Sequence, residues 1–263
     1  MIARDYITEW RAQAPWIADA QVEQDMVISR ALVEIFGASG LAQRLAFRGG
    51  TALFKLHLRP PARYSEDIDL VQITSEPIGE TFGAVRAALD PWLGSPKFDH
   101  NKLCVKLTYR FDSEDQPPKP MKLKIEINSR EHFTELGYVQ AAFEVRSRWW
   151  SGSATITTFA LDEMLGTKLR ALYQRRKGRD VFDLWYALTQ ASASPERIVA
   201  CFDRYMREGG HSVSRAMFEK GLQEKLSNSL FRADMTPLLR PGVNWDVDRA
   251  GALVMEQLIA RLP

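Results

Sequence analysis

Between Phe47 and Leu70 the chain reads FRGGTALFKLHLRPPARYSEDIDL, and this stretch narrows the choice of fold more than any other. An apolar strand runs into Gly49 and Gly50. Thr51 opens a helix that Pro60 and Pro61 end. A second strand then carries Asp67 and Asp69. Glycines let backbone N–H groups come close to a phosphate, and a helix N-terminus adds unsatisfied donors and positive potential. Thr51 can donate its hydroxyl at the same place. The same residues also suit a plain glycine turn with a threonine cap. Residues two apart on a strand face the same side, so Asp67 and Asp69 share a face opposite Ile68 and Leu70. Adjacent carboxylates repel unless a cation lies between them, and hard divalent ions favour such oxygen ligands. Two solvated acids on a half-exposed strand are the alternative.

The surrounding pattern is mixed. Residues 20–36 place Val22, Met26, Val33 and Phe36 at helical spacing, stopped by Gly37 and Gly40. Residues 81–89 read as a helix before Pro91. Strands are expected over 67–73, 102–112 and 122–128, with shorter ones at 138–146 and 153–158. The SEDQPPKP stretch is a hairpin-like loop between the second and third of these. Leu123, Ile125 and Ile127 take one face of the third, which leaves Glu126 on the other. If that strand neighbours the Asp67 strand, three acids converge, enough for two-metal phosphoryl transfer. Lys122 and Lys124 share its face and can neutralise Glu126 instead.

From Leu161 the period turns helical and stays so. Helices are expected over 161–176 and 180–190, with weaker ones near 195–208, 213–226 and 249–261. The expected division is therefore a mixed domain over 1–160 and a helical domain over 161–263. Lys168 falls on the apolar stripe of the first helix, where a charge needs a partner or a phosphate unless it reaches the edge of the stripe. Asp180 and Asp183 follow the basic run of Arg175, Arg176, Lys177 and Arg179 and fit a helix cap with a first-turn acid. Arg146, Arg148, Trp149 and Trp150 form a basic–aromatic run that suits either nucleic-acid stacking or packing.

Composition excludes several classes. Hydrophobic residues at 45% and charged residues at 26% are ordinary for a globular chain. No apolar run is long enough for a membrane helix, and the first residues lack a secretory pattern. Cys104 and Cys201 give no disulfide framework or zinc spacing. The cytoplasm is the expected compartment. A net charge of +2 does not mark a nucleic-acid binder, so any phosphate-binding surface must be local.

Taken in order, GGTALxK, RYSEDIDL, KIEIN and TKLRALxxRxxxRDxxDL resemble the AbiEii/AbiGii nucleotidyltransferase toxins, the group to which MenT-type toxins belong. The resemblance spans about residues 23–190; residues beyond 195 carry no placed motif. It implies an α+β fold: a polymerase-beta-type nucleotidyltransferase mixed sheet with flanking helices, then an α-helical C-terminal domain. It implies the toxin half of a type IV or related toxin–antitoxin system, with a cognate antitoxin protein as partner. Some MenT-type members add nucleotides to the tRNA 3′ end. Carried over by residue, Gly49, Gly50, Thr51 and Lys55 fit the phosphate-binding segment. Asp67 and Asp69 fit the metal pair and Glu126 the third acid. Lys168 fits the essential lysine, with Asp183, Asp180 and Arg179 in the segment that follows. The implied ligands are an NTP and Mg²⁺ or Mn²⁺, with RNA as acceptor. Transfer to a protein or a small molecule, and nucleotide binding without turnover, are the competing expectations. The interval from Thr51 to Asp67 exceeds that of small-molecule nucleotidyltransferases, which weakens any carry-over from them.

Overall fold

The structure is a computed structural model that describes residues 2–100 and 104–263. The chain divides into two compact units: Met1–Thr134 with Tyr138–Phe159, and Glu135–Gly137 with Ala160–Pro263. The first contains, in order, α1 (Arg4–Trp10), α2 (Asp19–Gly37), α3 (Leu41–Arg44), β1 (Leu45–Arg48), α4 (Gly49–Ala52) continued by a π-turn (Leu53–His57), β2 (Asp67–Gln72), α5 (Gly79–Leu93), β3 (Lys97–His100), β4 (Cys104–Asp112), β5 (Pro120–Asn128), β6 (Tyr138–Arg146) and β7 (Ser151–Phe159). The expected start of the β4 strand at 102–103 lies outside the described residues.

The seven strands form one mixed sheet in the order β3-β4-β5-β2-β1-β7-β6. β2 runs parallel to β5 and antiparallel to β1, and β1 runs parallel to β7. Alternation builds the core. Leu123, Ile125 and Ile127 of β5, Val105, Leu107 and Tyr109 of β4, and Ile68 and Leu70 of β2 are all buried, and their registers place them on one face. α2 and α5 pack on the sheet. The other face carries Asp67, Asp69, Lys106, Lys124 and Glu126, all half-buried.

α2 buries polar groups as well as apolar ones, and each finds a partner. Gln24 Nε2 donates to the Lys122 carbonyl at 3.0 Å. Glu23 accepts from the Glu114 N–H at 2.9 Å, and Asp25 accepts from the Trp10 indole at 2.9 Å. That last bond fastens α1, a helix too short to show a periodic apolar pattern. Its two anchors, Ile7 and Trp10, are buried. β3 is equally silent in the sequence. Every one of its residues is exposed, so only its backbone pairing with β4 makes it a strand. α5 extends past Pro91. Because Pro91 falls in the last turn, it forfeits one hydrogen bond and no further turn has to form around it.

The second unit is built of helices: α6 (Leu161–Gln174), α7 (Gly178–Gln190), α8 (Pro195–Glu208), α9 (Arg215–Leu226), α10 (Ser229–Ala233) and α11 (Val247–Gln257). The side chains of Ser194, Ser214, Asn228 and Asp246 accept backbone N–H groups at the starts of α8, α9, α10 and α11, the role these residues favour. Lys225 Nζ donates to the carbonyls of Leu172 and Tyr173 and so closes the C-terminal end of α6. Glu163 is fully buried on α6. Its carboxylate accepts from the N–H groups of Glu135 and Leu136 at 2.8 and 2.9 Å and from the Tyr205 hydroxyl at 2.8 Å, which ties the 135–137 segment into this unit.

α6 and α8 approach backbone to backbone at Gly166, where an added methyl group would overlap Cys201 and press on the Ile198 carbonyl. Gly166→Ala should therefore lower stability by about 1–3 kcal/mol through overpacking, despite alanine's better helix propensity. Gly83, exposed in the middle of α5, has open space around it, so Gly83→Ala should raise stability by about 0.5–1 kcal/mol. Chemical denaturation of both variants checks the pair; equal effects would contradict the assigned α6–α8 contact.

Candidate active site

The turn between β1 and α4 is dictated by its two glycines. Gly49 has φ +84°, a conformation that side-chain-bearing residues rarely adopt. A methyl group there would also overlap Asp69 Oδ2. The Asp69 carboxylate thus rests directly on the turn. Gly50 does the same for Arg63, whose guanidinium occupies the place a Cβ would take. Thr51, expected to offer its hydroxyl to a phosphate, uses it otherwise. It donates to the Asp67 carbonyl at 2.6 Å and lies 2.8 Å from Ser65 Oγ. The threonine fastens the helix start to the start of β2. The backbone N–H groups of the first turn of α4 remain the donors that suit an anion. Lys55, one turn later, is held by Asp25 Oδ1 and Ser29 Oγ, both at 2.9 Å.

The acid face is ordered by strand register. Asp67 and Asp69 project to one side of β2, and on β5 Lys124 stands opposite Asp67 and Glu126 opposite Asp69. The two acid-bearing strands are therefore neighbours. The side chains carry an arrangement the sequence left open: Lys124 Nζ lies 2.8 Å from Glu126 Oε1 and 3.4 Å from Asp67 Oδ2, and Lys106 of β4 lies 3.2 Å from Glu126. Lys122, the other lysine considered for this role, is exposed. Burial alone would raise the Glu126 carboxyl, but hydrogen bonds and charge from Lys124 and Lys106 outweigh it and hold the group below its usual range. Burial works against the charge on Lys124, and its two carboxylate partners raise its affinity for the proton above the ordinary value.

These residues fit a divalent cation in a limited way. Among the described residues no group of three or more His, Cys, Asp or Glu side chains gathers as a metal site. Asp67 and Asp69 give two carboxylates on one face, a donor set suited to Mg²⁺, which commonly takes one or two carboxylates together with substrate phosphates. Glu126 is engaged by two lysines.

In the second unit Lys168, 8% exposed, lies 2.9 Å from Asp183 Oδ2 and 3.4 Å from Asp180 Oδ1. Both aspartates are fully buried. Arg175, the first residue of the basic run, grips both oxygens of Asp180 at 2.7 and 2.8 Å. The backbone turns out of α6 at Arg175, which lets it reach back. Asp180 sits in the first turn of α7, but its side chain caps nothing; the cap position is Lys177. Arg179 is tied to Asp234, with Nε 3.2 Å from Oδ2. Arg176 and Lys177 remain exposed.

The basic–aromatic run ending β6 is engaged within the first unit. Arg148 pairs with Asp5 and Glu9, both at 2.9 Å, and Arg146 with Glu144 at 2.7 Å. Trp149 and Trp150 stack around Arg30 with Trp92. Packing, one of the two expectations for this run, describes it.

Removing Lys168 would take one cation from two fully buried carboxylates, Asp183 and Asp180. Lys168→Ala should therefore cost on the order of 3–5 kcal/mol, read by urea denaturation. A loss no larger than that of an exposed surface pair would contradict the buried triad.

The fold is similar to that of MenT4, a nucleotidyltransferase toxin from Mycobacterium tuberculosis H37Rv: the TM-score is 0.64 at 16% identity, covering 100% of this chain and 91% of that one. JHP933 from Helicobacter pylori gives a TM-score of 0.52 at 17% identity, covering 92% of each chain. At these identities the likeness shows the fold. A search of curated proteins finds no match. Residues 30–252 match the family model described as "Nucleotidyl transferase AbiEii toxin, Type IV TA system". The chain therefore belongs to the AbiEii family of nucleotidyltransferase toxins of type IV toxin–antitoxin systems.

Proposed function

We propose that this chain transfers a nucleoside monophosphate from an NTP to the 3′ end of an RNA, with tRNA as the acceptor. The observation that carries the reading is the Asp69 carboxylate lying on Gly49 at the head of α4. It sets a cation-binding group against an anion-binding helix terminus, and phosphoryl transfer is mostly a matter of positioning and charge stabilisation. The triphosphate is assigned to the backbone N–H groups of Gly49, Gly50 and Thr51. Thr51 keeps that turn rigid through its bond to the Asp67 carbonyl, so the donors need not reorganise during reaction.

Mg²⁺ or Mn²⁺, held by Asp67 and Asp69, would supply charge neutralisation at the phosphates. Lys124 contacts Asp67 in the same place, so its ammonium must give way to such an ion and becomes available to the phosphates. Glu126, kept ionised by two lysines, is assigned to orient the acceptor hydroxyl; holding a second cation is the other role open to it. Lys168, Asp180, Asp183 and Arg179 are assigned to the same reaction by the family resemblance. The buried carboxylates fix where the Lys168 ammonium lies.

The RNA acceptor rests on the resemblance to the MenT-type group, some of whose members extend tRNA. The family further implies a cognate antitoxin, and no helix among the described residues is long and apolar enough to cross a membrane.

The test is incubation of tRNA with labelled NTPs. Wild type should label the RNA 3′ end with release of pyrophosphate. Asp67→Asn and Asp69→Asn should lower the rate by about 10²–10³-fold, the scale of losing one preorganised electrostatic group, with folding checked by circular dichroism. Equal transfer by all three proteins would overturn the roles given to these acids. Label found on a protein or a small molecule would overturn the acceptor.

A further inference from the structure

The first unit contains a cavity of about 430 Å³ that Asp67, Asp69 and Glu126 do not line. It adjoins the segment that holds the glycine turn, since Thr51 and Ser65 line it and the Thr51 hydroxyl also reaches the Asp67 carbonyl. Its size falls within the roughly 300–1,000 Å³ typical of small-molecule sites.

The lining has a definite chemistry. Trp10, Trp16, Phe54 and Phe143 give flat apolar walls, each side chain buried. Lys55, Arg59 and Arg63 bring positive charge against the carboxylates of Asp25 and Glu144. Lys55 and Asp25 pair with each other at 2.9 Å, and Glu144 is engaged by Arg146 at 2.7 Å. The balance of the lining is therefore positive. Arg63 lies over the Phe54 ring, 5.0 Å from its centroid, and exposed Arg59 stands 5.7 Å from the centroid of Phe143. One donor is conspicuous. Trp16 is 3% exposed, and its indole Nε1 is buried with no hydrogen-bond partner. A buried indole N–H ordinarily finds an acceptor, and leaving it unpaired is costly.

A ligand that suits this lining has a planar ring and an anionic group. The Ser65 hydroxyl and the amide of Gln13 on the wall suit the mixed donor and acceptor edge of a heterocycle. We infer that this cavity is a second nucleotide site, which takes a free nucleoside monophosphate with its base between the aromatic walls and its phosphate at Arg59. This goes beyond the transfer reaction, and the site needs no metal because its cations are side chains. An occupant would contact Thr51 and Ser65 and so bear on the turn.

The experiment follows the indole ¹H–¹⁵N resonance of Trp16, assigned by its disappearance in Trp16→Phe. AMP and GMP are titrated separately into the full chain in the presence of EDTA. The expected result is a saturable shift of that resonance. Asp67→Asn should leave its midpoint unchanged, and Arg59→Gln should weaken binding at least tenfold; Arg59 is exposed, so that variant should keep its fold. A Trp16 resonance that does not move would overturn the inference. So would a shift abolished by Asp67→Asn or indifferent to Arg59→Gln. Inorganic phosphate producing the same shift at the same concentration would overturn the nucleotide assignment. None of these outcomes depends on transfer activity, which is read separately at Asp67 and Asp69.

Discussion

The structure of the first unit turns on a contact between a carboxylate and a residue that has no side chain. Asp69 sits where the Cβ of Gly49 would be, and Gly49 holds a backbone angle that disfavours other residues. The contact joins two otherwise separate properties of the chain. β2 brings acids to the half-exposed face of the sheet, and α4 brings unpaired N–H groups to the same point. Arg63 against Gly50 and Thr51 against the Asp67 carbonyl brace the turn from its other side. A negative group at a helix N-terminus is itself favourable, so the arrangement is not merely tolerated.

Charge compensation is the second theme. In both units the acids singled out by their spacing are already paired with cations. Lys124 and Lys106 serve Asp67 and Glu126, while Lys168 and Arg175 serve Asp180 and Asp183. The two cases differ in burial. The first group is half-exposed, where ion pairs are weak and exchangeable, as suits residues that must accept other ligands. In the second the aspartates are fully buried, and breaking such pairs is costly. One cluster is placed to change partners, the other to stay fixed.

Much of this was legible in the sequence because it depends on local periodicity. Alternation at Leu123, Ile125 and Ile127 placed Glu126 on the polar face, and the Gly-Gly step followed by an Asp-x-Asp strand marked the turn and its acids. The division into a mixed half and a helical half followed from the same patterns, and the α+β nucleotidyltransferase fold and the family from the resemblance carried by the order of the motifs. What could not be read depends on contacts between distant residues. Thr51 looks like a free donor until Asp67 is brought beside it by β2. Arg175 reads as one charge of a basic run until α7 folds Asp180 back to it. Trp149 and Trp150 suit stacking or packing equally by sequence, and Arg30 of α2 lying over both rings and Trp92 decides for packing. α1 and β3 are held by partners far along the chain, Asp25 and the backbone of β4, so their own residues carry little signal.

The central claim is that the acid pair beside Gly49 gathers a divalent cation together with the phosphates of a nucleotide. Electron paramagnetic resonance of Mn²⁺, titrated with a non-hydrolysable NTP analogue, reads this without any acceptor or turnover. The wild-type chain should bind Mn²⁺ tightly only when the analogue is present, and Asp69→Asn should weaken that binding at least tenfold. Identical Mn²⁺ binding by the two proteins would contradict the claim.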